Sequence, residues 1–450
     1  MKRLLVLGAG TAGTMMVNQL RRRLDRFDWA ITVVDQAMTH VFQPGLLLVP
    51  FGSYTAEDVT RPRPELLGDG INLIHGEIDH ICARTHTVAL ADGRQLPYDY
   101  LVIATGCTTR PDHTPGMLGR HWQQSIFDFY HLEGAVRLHE ALRDFPGGRL
   151  VVHVADLPVR APGAPLAFAT LADSYLRREG RRDQVEIIYA TPVPAAVATA
   201  PAHLGAGFGG GAGHGPDITI EAGFVVERVD EATKSLVSYD GRRIRFDLLV
   251  TVPLNMGADF IARSGLGDAY NYVPVDPHTS RSLADDAIFA VGDASSVPGR
   301  PKSGAVAAAT AEAFVRYFCE HVADPARVGR PAGTVSVLAT GRTRSEPRRG
   351  AGLAYAELVN AEAASDEPAP ASTALDPFAL SRRLGASRAN PVNHWNELTS
   401  RWAYWHLVRR DQTRRVAPVP NGAATAVLTA LPSRQAARFS PGRHDRHRLR

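Results

Sequence analysis

Short apolar runs alternate with helical spacings through the first half of the chain. Residues 3–7 form the first run, and it stops at Gly8-Ala9-Gly10-Thr11-Ala12-Gly13. A helical pattern follows at once. Met16, Leu20, Leu24 and Phe27 recur every three or four residues, with Arg21, Arg22, Arg23 and Asp25 between them. A second apolar run, residues 30–34, ends in Asp35. Strand, glycine turn, helix, strand and acid in this order predict a dinucleotide-binding βαβ unit. Gly8 permits the tight turn, Gly10 lets a pyrophosphate approach the backbone, and Gly13 lets the helix pack close to the strand. The helix N-terminus offers free N–H groups to the phosphates. Asp35 stands where a carboxylate can accept hydrogen bonds from a ribose.

The pattern then changes. Pro44, Gly45, Pro50 and Gly52 interrupt an apolar stretch at residues 40–52, which suits neither a long helix nor a regular strand. Irregular apolar backbone beside a nucleotide site could line a ring-shaped cofactor. Residues 71–75 read as a strand, and 87–91 with 95–98 as a hairpin around Asp92-Gly93. Residues 100–104 are a buried strand ending in Ala104-Thr105-Gly106. A second α/β region begins near Arg149, with a strand at 150–154, a helix at 166–178 and a strand at 185–189. After its first strand the chain has Pro158, Pro162 and Pro165 and no GxGxxG, so a second pyrophosphate cradle, and bound NAD(P)H with it, is not expected. Residues 246–252 return as a strand, 288–293 read as a strand ending in Gly292-Asp293, and Pro301-Lys302-Ser303-Gly304 opens a helix that runs to about Cys319.

These changes predict an α/β protein with two Rossmann-like domains of FAD/NAD(P)-binding type, the second inserted in the first. Residues 1–112 and 246–325 form the first domain and 113–245 the second. A C-terminal region, 326–432, contains a linker at 361–375 and an amphipathic, membrane-facing helix at 393–410, and 433–450 is a disordered basic tail. Residues 205–215 read as a glycine-rich surface loop.

The formal net charge is only +4, but residues 401–450 hold eleven arginines against two aspartates. A basic tail on a slightly acidic body points to an anionic lipid surface rather than nucleic acid. Trp395, Trp402 and Trp405, flanked by arginines, fit an interfacial helix, with packing between domains as the alternative. No apolar run reaches the length of a membrane span, so the expected location is cytoplasmic, peripheral on the inner face of the cell membrane. Cys82, Cys107 and Cys319 form no CxxC pair, which argues against a structural metal site or a disulfide framework.

The joint set of motifs, "HVFQPGLLLVPFG", "LPYDYLVIATG", "LLVTVP", "FAVGDAS" and "NHW…WAYWHL", resembles the sulfide:quinone oxidoreductase family of FAD-dependent flavoproteins. The resemblance spans most of residues 1–320 and resumes near 390–410. It implies FAD held by Gly8, Ala9, Gly10, Thr11, Ala12, Gly13, Asp35 and Gln36. Gln43, Pro44, Ala104, Thr105, Gly106, Gly292, Asp293, Lys302, Gly304 and Ala305 complete the implied set. Lys302, one of three lysines in the chain, becomes the candidate catalytic residue. A lysine and a helix N-terminus beside the isoalloxazine would stabilise its reduced, anionic form. The implied partners are a membrane quinone and a small-molecule electron donor, in a chain that could form a homo-oligomer.

The chain departs from the family at the thiols. Ala161 stands in place of the redox cysteine that follows the second domain's first strand, and Ser336 in place of the C-terminal one. An alanine cannot attack sulfur, and a serine hydroxyl ionises far too weakly to replace a thiolate. Cys82 and Cys107 read as small buried hydrophobes. His40, His131, His394 and His406 are proton-carrier candidates that more often serve structure. Three readings stay open: a sulfide:quinone oxidoreductase-type enzyme without the persulfide relay, a type II NADH:quinone oxidoreductase, and a non-catalytic flavin-binding protein.

Overall fold

Runs such as Leu4-Leu5-Val6-Leu7 and Leu248-Leu249-Val250 have no polar face, the pattern of strands covered on both sides. The computed structural model describes residues 1–195 and 217–323, with Tyr404, Trp405 and Val408. All of these lie in the unit Met1–Arg410. In chain order the main strands are β1 (Lys2–Leu7), β2 (Trp29–Asp35), β3 (Ile71–His75), β4 (Tyr100–Ile103), β5 (Ile126–Phe127), β6 (Gly148–Val154), β7 (Val185–Ala190), β8 (Ile218–Glu221), β9 (Leu248–Val252) and β10 (Ile288–Ala290). The helices packed on them are α1 (Thr11–Arg23), α2 (Leu132–Asp144), α3 (Ala164–Arg178) and α4 (Gly304–Phe318).

Two parallel sheets result. The first runs β10-β4-β1-β2-β3 and the second β5-β9-β6-β7-β8. The chain leaves the first sheet after β4 and re-enters it at β10, so the second sheet interrupts the first in sequence. Register sets the site. Leu7 pairs with both Val34 and Ile103, which levels the carboxyl ends of β1, β2 and β4. The glycine turn, Asp35, Ala104–Gly106 and Gly292 therefore share one sheet edge, where open α/β sheets bind ligands.

Packing holds that edge in place. Met16, Val17 and Leu20 of α1 meet Phe314 and Phe318 of α4 over one face of the first sheet. Leu5, Leu101 and Ile103 cover the other face with Ile261 and Val273. Around the second sheet, Leu138 and Leu142 of α2 join Leu166, Phe168 and Ala172 of α3 against Leu150 and Val152.

The first helix is shorter than its spacing predicts. α1 ends at Arg23, with Leu24 already extended, and Phe27 is 82% exposed rather than part of the apolar face. The Asp25 carboxylate accepts the Phe27 N–H at 2.7 Å, an Asx-type bond that competes with helix continuation. Trp405 also departs from its expected lipid-facing stripe. Its ring lies 5.8 Å from His40 and 6.2 Å from Phe42, with the Arg61 guanidinium 5.1 Å above it. The apolar, irregular stretch around Phe42 offers that ring a buried partner, which lipid would otherwise have to supply. Among the described residues, no helix is long and apolar enough to cross a membrane. The loop at 205–215, the linker at 361–375, the tail at 433–450, and Trp395, Trp402, Ser336, His394 and His406 lie outside the described residues.

Candidate active site

The turn after β1 is built from glycines with separate jobs. Gly8 has φ +97°, and a Cβ there would lie 2.6 Å from the Ala104 carbonyl oxygen. A Cβ on Gly13 would strike the Gly8 carbonyl oxygen. At Gly10 a Cβ would meet nothing within 4 Å. The protein thus needs glycine at 8 and 13 for its own packing, whereas Gly10 leaves space for something else. α1 has no side-chain cap and no acidic residue in its first turn. Its first N–H groups are left for an anion. Beside them the Thr105 hydroxyl oxygen is buried without a hydrogen-bond partner among the described residues. Open space, uncapped donors and an orphaned hydroxyl at one sheet edge fit a dinucleotide pyrophosphate.

Asp35 knits this loop to β2. Its carboxylate accepts the Ala9 N–H at 2.7 Å and the Ala37 N–H at 2.8 Å, and pairs with Arg63 at 3.3 Å. Asp35 has acceptor positions left for a ribose, but it is not the free acid that the sequence pattern suggests. Arg63 was not singled out by sequence; one arginine of an Arg-Pro-Arg-Pro run carries no periodic or motif signal.

A second cluster gathers around Lys302, which is only 8% exposed. Its ammonium donates to the carbonyls of Asp293 (2.9 Å) and Ser295 (3.2 Å) and lies 3.4 Å from the Tyr272 ring centroid. Burial lowers the Lys302 pKa, and the neighbouring Cys107 and Asp293 partly restore it. Burial raises the Asp293 pKa against the pull of Lys302, Arg160 and a Cys107 hydrogen bond. Cys107 Sγ lies 3.9 Å from Asp293 Oδ2, and burial pushes its thiol up to about 12. A thiol so held is protonated at neutral pH and a poor nucleophile.

Ala161, where the family resemblance leads one to expect a redox cysteine, sits against this cluster. Its N–H donates to the Lys302 carbonyl at 2.7 Å, and its φ is +49°. Next to it, the Arg160 guanidinium donates to the Tyr130 carbonyl at 3.1 Å and to the Cys107 carbonyl at 3.5 Å, and stacks 5.0 Å over the Tyr130 ring. Neither Arg160 nor Lys302 forms an ion pair among the described residues, so the cluster is electropositive. Arg160, Tyr130 and Tyr272 escaped sequence reasoning, because only the tertiary fold brings their segments to Lys302.

The other expected residues divide between the two ends. Gly292 has φ +65° and donates its N–H to Thr310 Oγ1 at 3.1 Å, and Gly106 has φ +69° after β4. Gln36, Gln43 and Pro44 are exposed, as are Gly304 and Ala305 at the start of α4. Ala12 is buried in the first turn of α1. His131 lies 3.2 Å from Asp128, away from Lys302 in its contacts. Among the described residues there is no cluster of three metal-ligating side chains.

Residues 2–153 match the family Pyridine nucleotide-disulphide oxidoreductase. The chain is a FAD-dependent oxidoreductase. Sulfide:quinone oxidoreductases are among its relatives by sequence, in line with the motifs. It is 23% identical over 318 residues to the mitochondrial sulfide:quinone oxidoreductase of Mus musculus, 68% of each chain. It is 25% identical over 334 residues to that of Schizosaccharomyces pombe, 70% of this chain and 72% of the relative. In fold it is similar to the X-ray structure of the sulfide:quinone oxidoreductase from the hyperthermophilic bacterium Aquifex aeolicus. The TM-score is 0.59 at 21% identity, with 71% of this chain and 76% of that one covered.

Proposed function

We propose that the chain passes two electrons from a small reductant through FAD to a membrane quinone, without a cysteine persulfide relay. The observation that carries this reading is the environment of Ala161. It stands against Lys302, has no sulfur, and the one thiol in the cluster, Cys107, is held protonated. Names of the sequence relatives support sulfide as the donor class and quinone as the acceptor. The basic composition of residues 401–450 supports docking on an anionic lipid surface from one side.

FAD would supply reversible two-electron acceptance. The first turn of α1 and Thr105 would hold its phosphates, with Asp35 at the ribose. Gly292 and Asp293 would line the path toward the ring. Lys302 and Arg160 set a positive potential that favours negative charge beside them. Cys107 holds its proton close to it, and burial also opposes ionisation of Asp293.

The test is anaerobic titration of the flavin-loaded full chain with sulfide, glutathione and NADH, followed by a short-chain quinone. The reading expects bleaching by sulfide or thiol, none by NADH, and return of colour with quinone. Rapid bleaching by NADH would instead support a type II NADH:quinone oxidoreductase. Reduced protein that quinone does not reoxidise would support a non-catalytic flavoprotein.

A further inference from the structure

Two residues flank Gly10 in the phosphate loop, and each is tied down from far away in sequence. Ala9 is bound at its N–H by Asp35. Its carbonyl accepts from Thr14 Oγ1 at 2.8 Å, from Arg63, and from His40 Nδ1 at 3.0 Å. Thr11, the first residue of α1, has its hydroxyl 2.7 Å from the Tyr404 hydroxyl, across 393 positions of chain. The same Tyr404 hydroxyl lies 2.8 Å from His40 Nε2. One phenol therefore closes a loop of hydrogen bonds that begins at Ala9 and ends at Thr11, with Gly10 left bare between them.

The direction of each bond follows from the partners. A carbonyl only accepts, so His40 Nδ1 carries the proton toward Ala9. In a neutral imidazole Nε2 must then accept, so the Tyr404 hydroxyl donates to it. The Tyr404 oxygen in turn accepts from Thr11. His40 is 1% exposed, and burial, with help from Arg63, lowers its pKa to about 4, which keeps the ring neutral. A second anchor lies along the same helix face. Thr11 and Asn18 are seven residues apart, two turns of α1. Asn18 Nδ2 donates to the Val408 carbonyl at 3.0 Å, one helical turn beyond Tyr404. Tyr404 also packs its ring 4.6 Å from that of Phe42.

We infer that Tyr404 is a positioning residue for the FAD phosphate loop: through Thr11 and His40 it clasps the backbone on both sides of Gly10 and so governs how tightly FAD is retained. The inference rests on the FAD reading of the loop. It assigns to the far C-terminal part of the chain a role in holding cofactor that is separate from any contact with lipid.

Tyr404→Phe tests it, because the ring and its packing on Phe42 remain while both hydrogen bonds go. The dissociation constant of FAD, measured by flavin fluorescence on reconstituting apoprotein, should rise about tenfold, with faster release. Thr11→Val should weaken FAD as well, and the double variant should be no weaker than the worse single one, since both changes break one chain of bonds. Melting temperatures of the apoproteins separate a loss of fold from a loss of cofactor. An unchanged FAD dissociation constant in Tyr404→Phe, or fully additive losses in the double variant, overturns the clasp. Wild-type protein that takes up no flavin overturns the FAD reading and the clasp together, whereas flavin-loaded wild type beside an unaltered Tyr404→Phe overturns the clasp alone.

Discussion

A methyl group added at Gly10 meets no protein atom within 4 Å, whereas at Gly13 it would run into the Gly8 carbonyl. The two glycines therefore fail differently. Gly10→Val should give a folded, colourless protein, with a normal melting temperature for the apo form and no bound FAD in its visible spectrum. A yellow Gly10→Val protein at full flavin content would refute the phosphate placement. Gly13→Ala should instead lose folded protein outright. At the other end, Lys302→Gln removes the buried charge beside Asp293 and Tyr272. The flavin potential, read by anaerobic spectroelectrochemistry, should become more negative, because a less positive surrounding favours the reduced form less; no shift would remove Lys302 from the flavin's electrostatics. His40 and His153 are held neutral chiefly by burial, near pKa values of about 4 and about 3. In the unfolded chain they take up protons near 6.5. Below that pH the unfolded state binds more protons, so stability rises with pH and is lost as pH falls from 6.5 toward those folded values. Each histidine contributes a slope of about 1.4 kcal/mol per pH unit in that window. Melting curves from pH 7.5 to 5 should show the fall, and His153→Gln should flatten it; an identical slope in the variant would assign the loss to other groups.

At the level of elements, legibility followed periodicity. β1, α1, β2 and the turn between them could be read from spacing, because a glycine turn between two apolar runs has few other solutions. The end of α1 could not: Leu24 and Phe27 continue the spacing, but the Asp25 side chain takes the Phe27 amide and stops the helix. The start of α4 was readable to within two residues, since Pro301 and Gly304 bracket it. Ser303 accepts the Val306 N–H at 3.4 Å as its N-cap. Ser303→Ala should cost about 1 kcal/mol of stability, seen as a lowered denaturation midpoint, while leaving the spectrum of bound FAD unchanged. No loss would mean that water satisfies that turn equally well. The Tyr404 contacts were not readable at all. A tyrosine within an aromatic, arginine-flanked stretch carries the same pattern whether it meets lipid or a distant helix, and only tertiary structure distinguishes the two.

Across the whole molecule, the first sheet brings the glycine turn, the Ala104–Gly106 turn and Asp293, with Lys302 bonded to the Asp293 carbonyl, to one edge, although they span about three hundred residues of sequence. That gathering was legible as a set of motifs. Its chemistry was legible only in part, because Ala161 stands in sequence where the resemblance leads one to expect a thiol, while Arg160 and Tyr272 join the cluster only through folding. The charge distribution makes a separate prediction. Deleting residues 411–450, which keeps Tyr404, should reduce cosedimentation with anionic liposomes, and salt should weaken binding of the intact chain. Equal sedimentation of both forms would dispose of a lipid role for the tail. The central claim is that electrons reach the flavin with no cysteine intermediate. It is tested most directly by a variant with Cys82, Cys107 and Cys319 all changed to serine, loaded with FAD and mixed anaerobically with the donor that bleaches the wild type. The account predicts that the variant still bleaches and regains its colour with quinone; a flavin-loaded variant that stays yellow would contradict it.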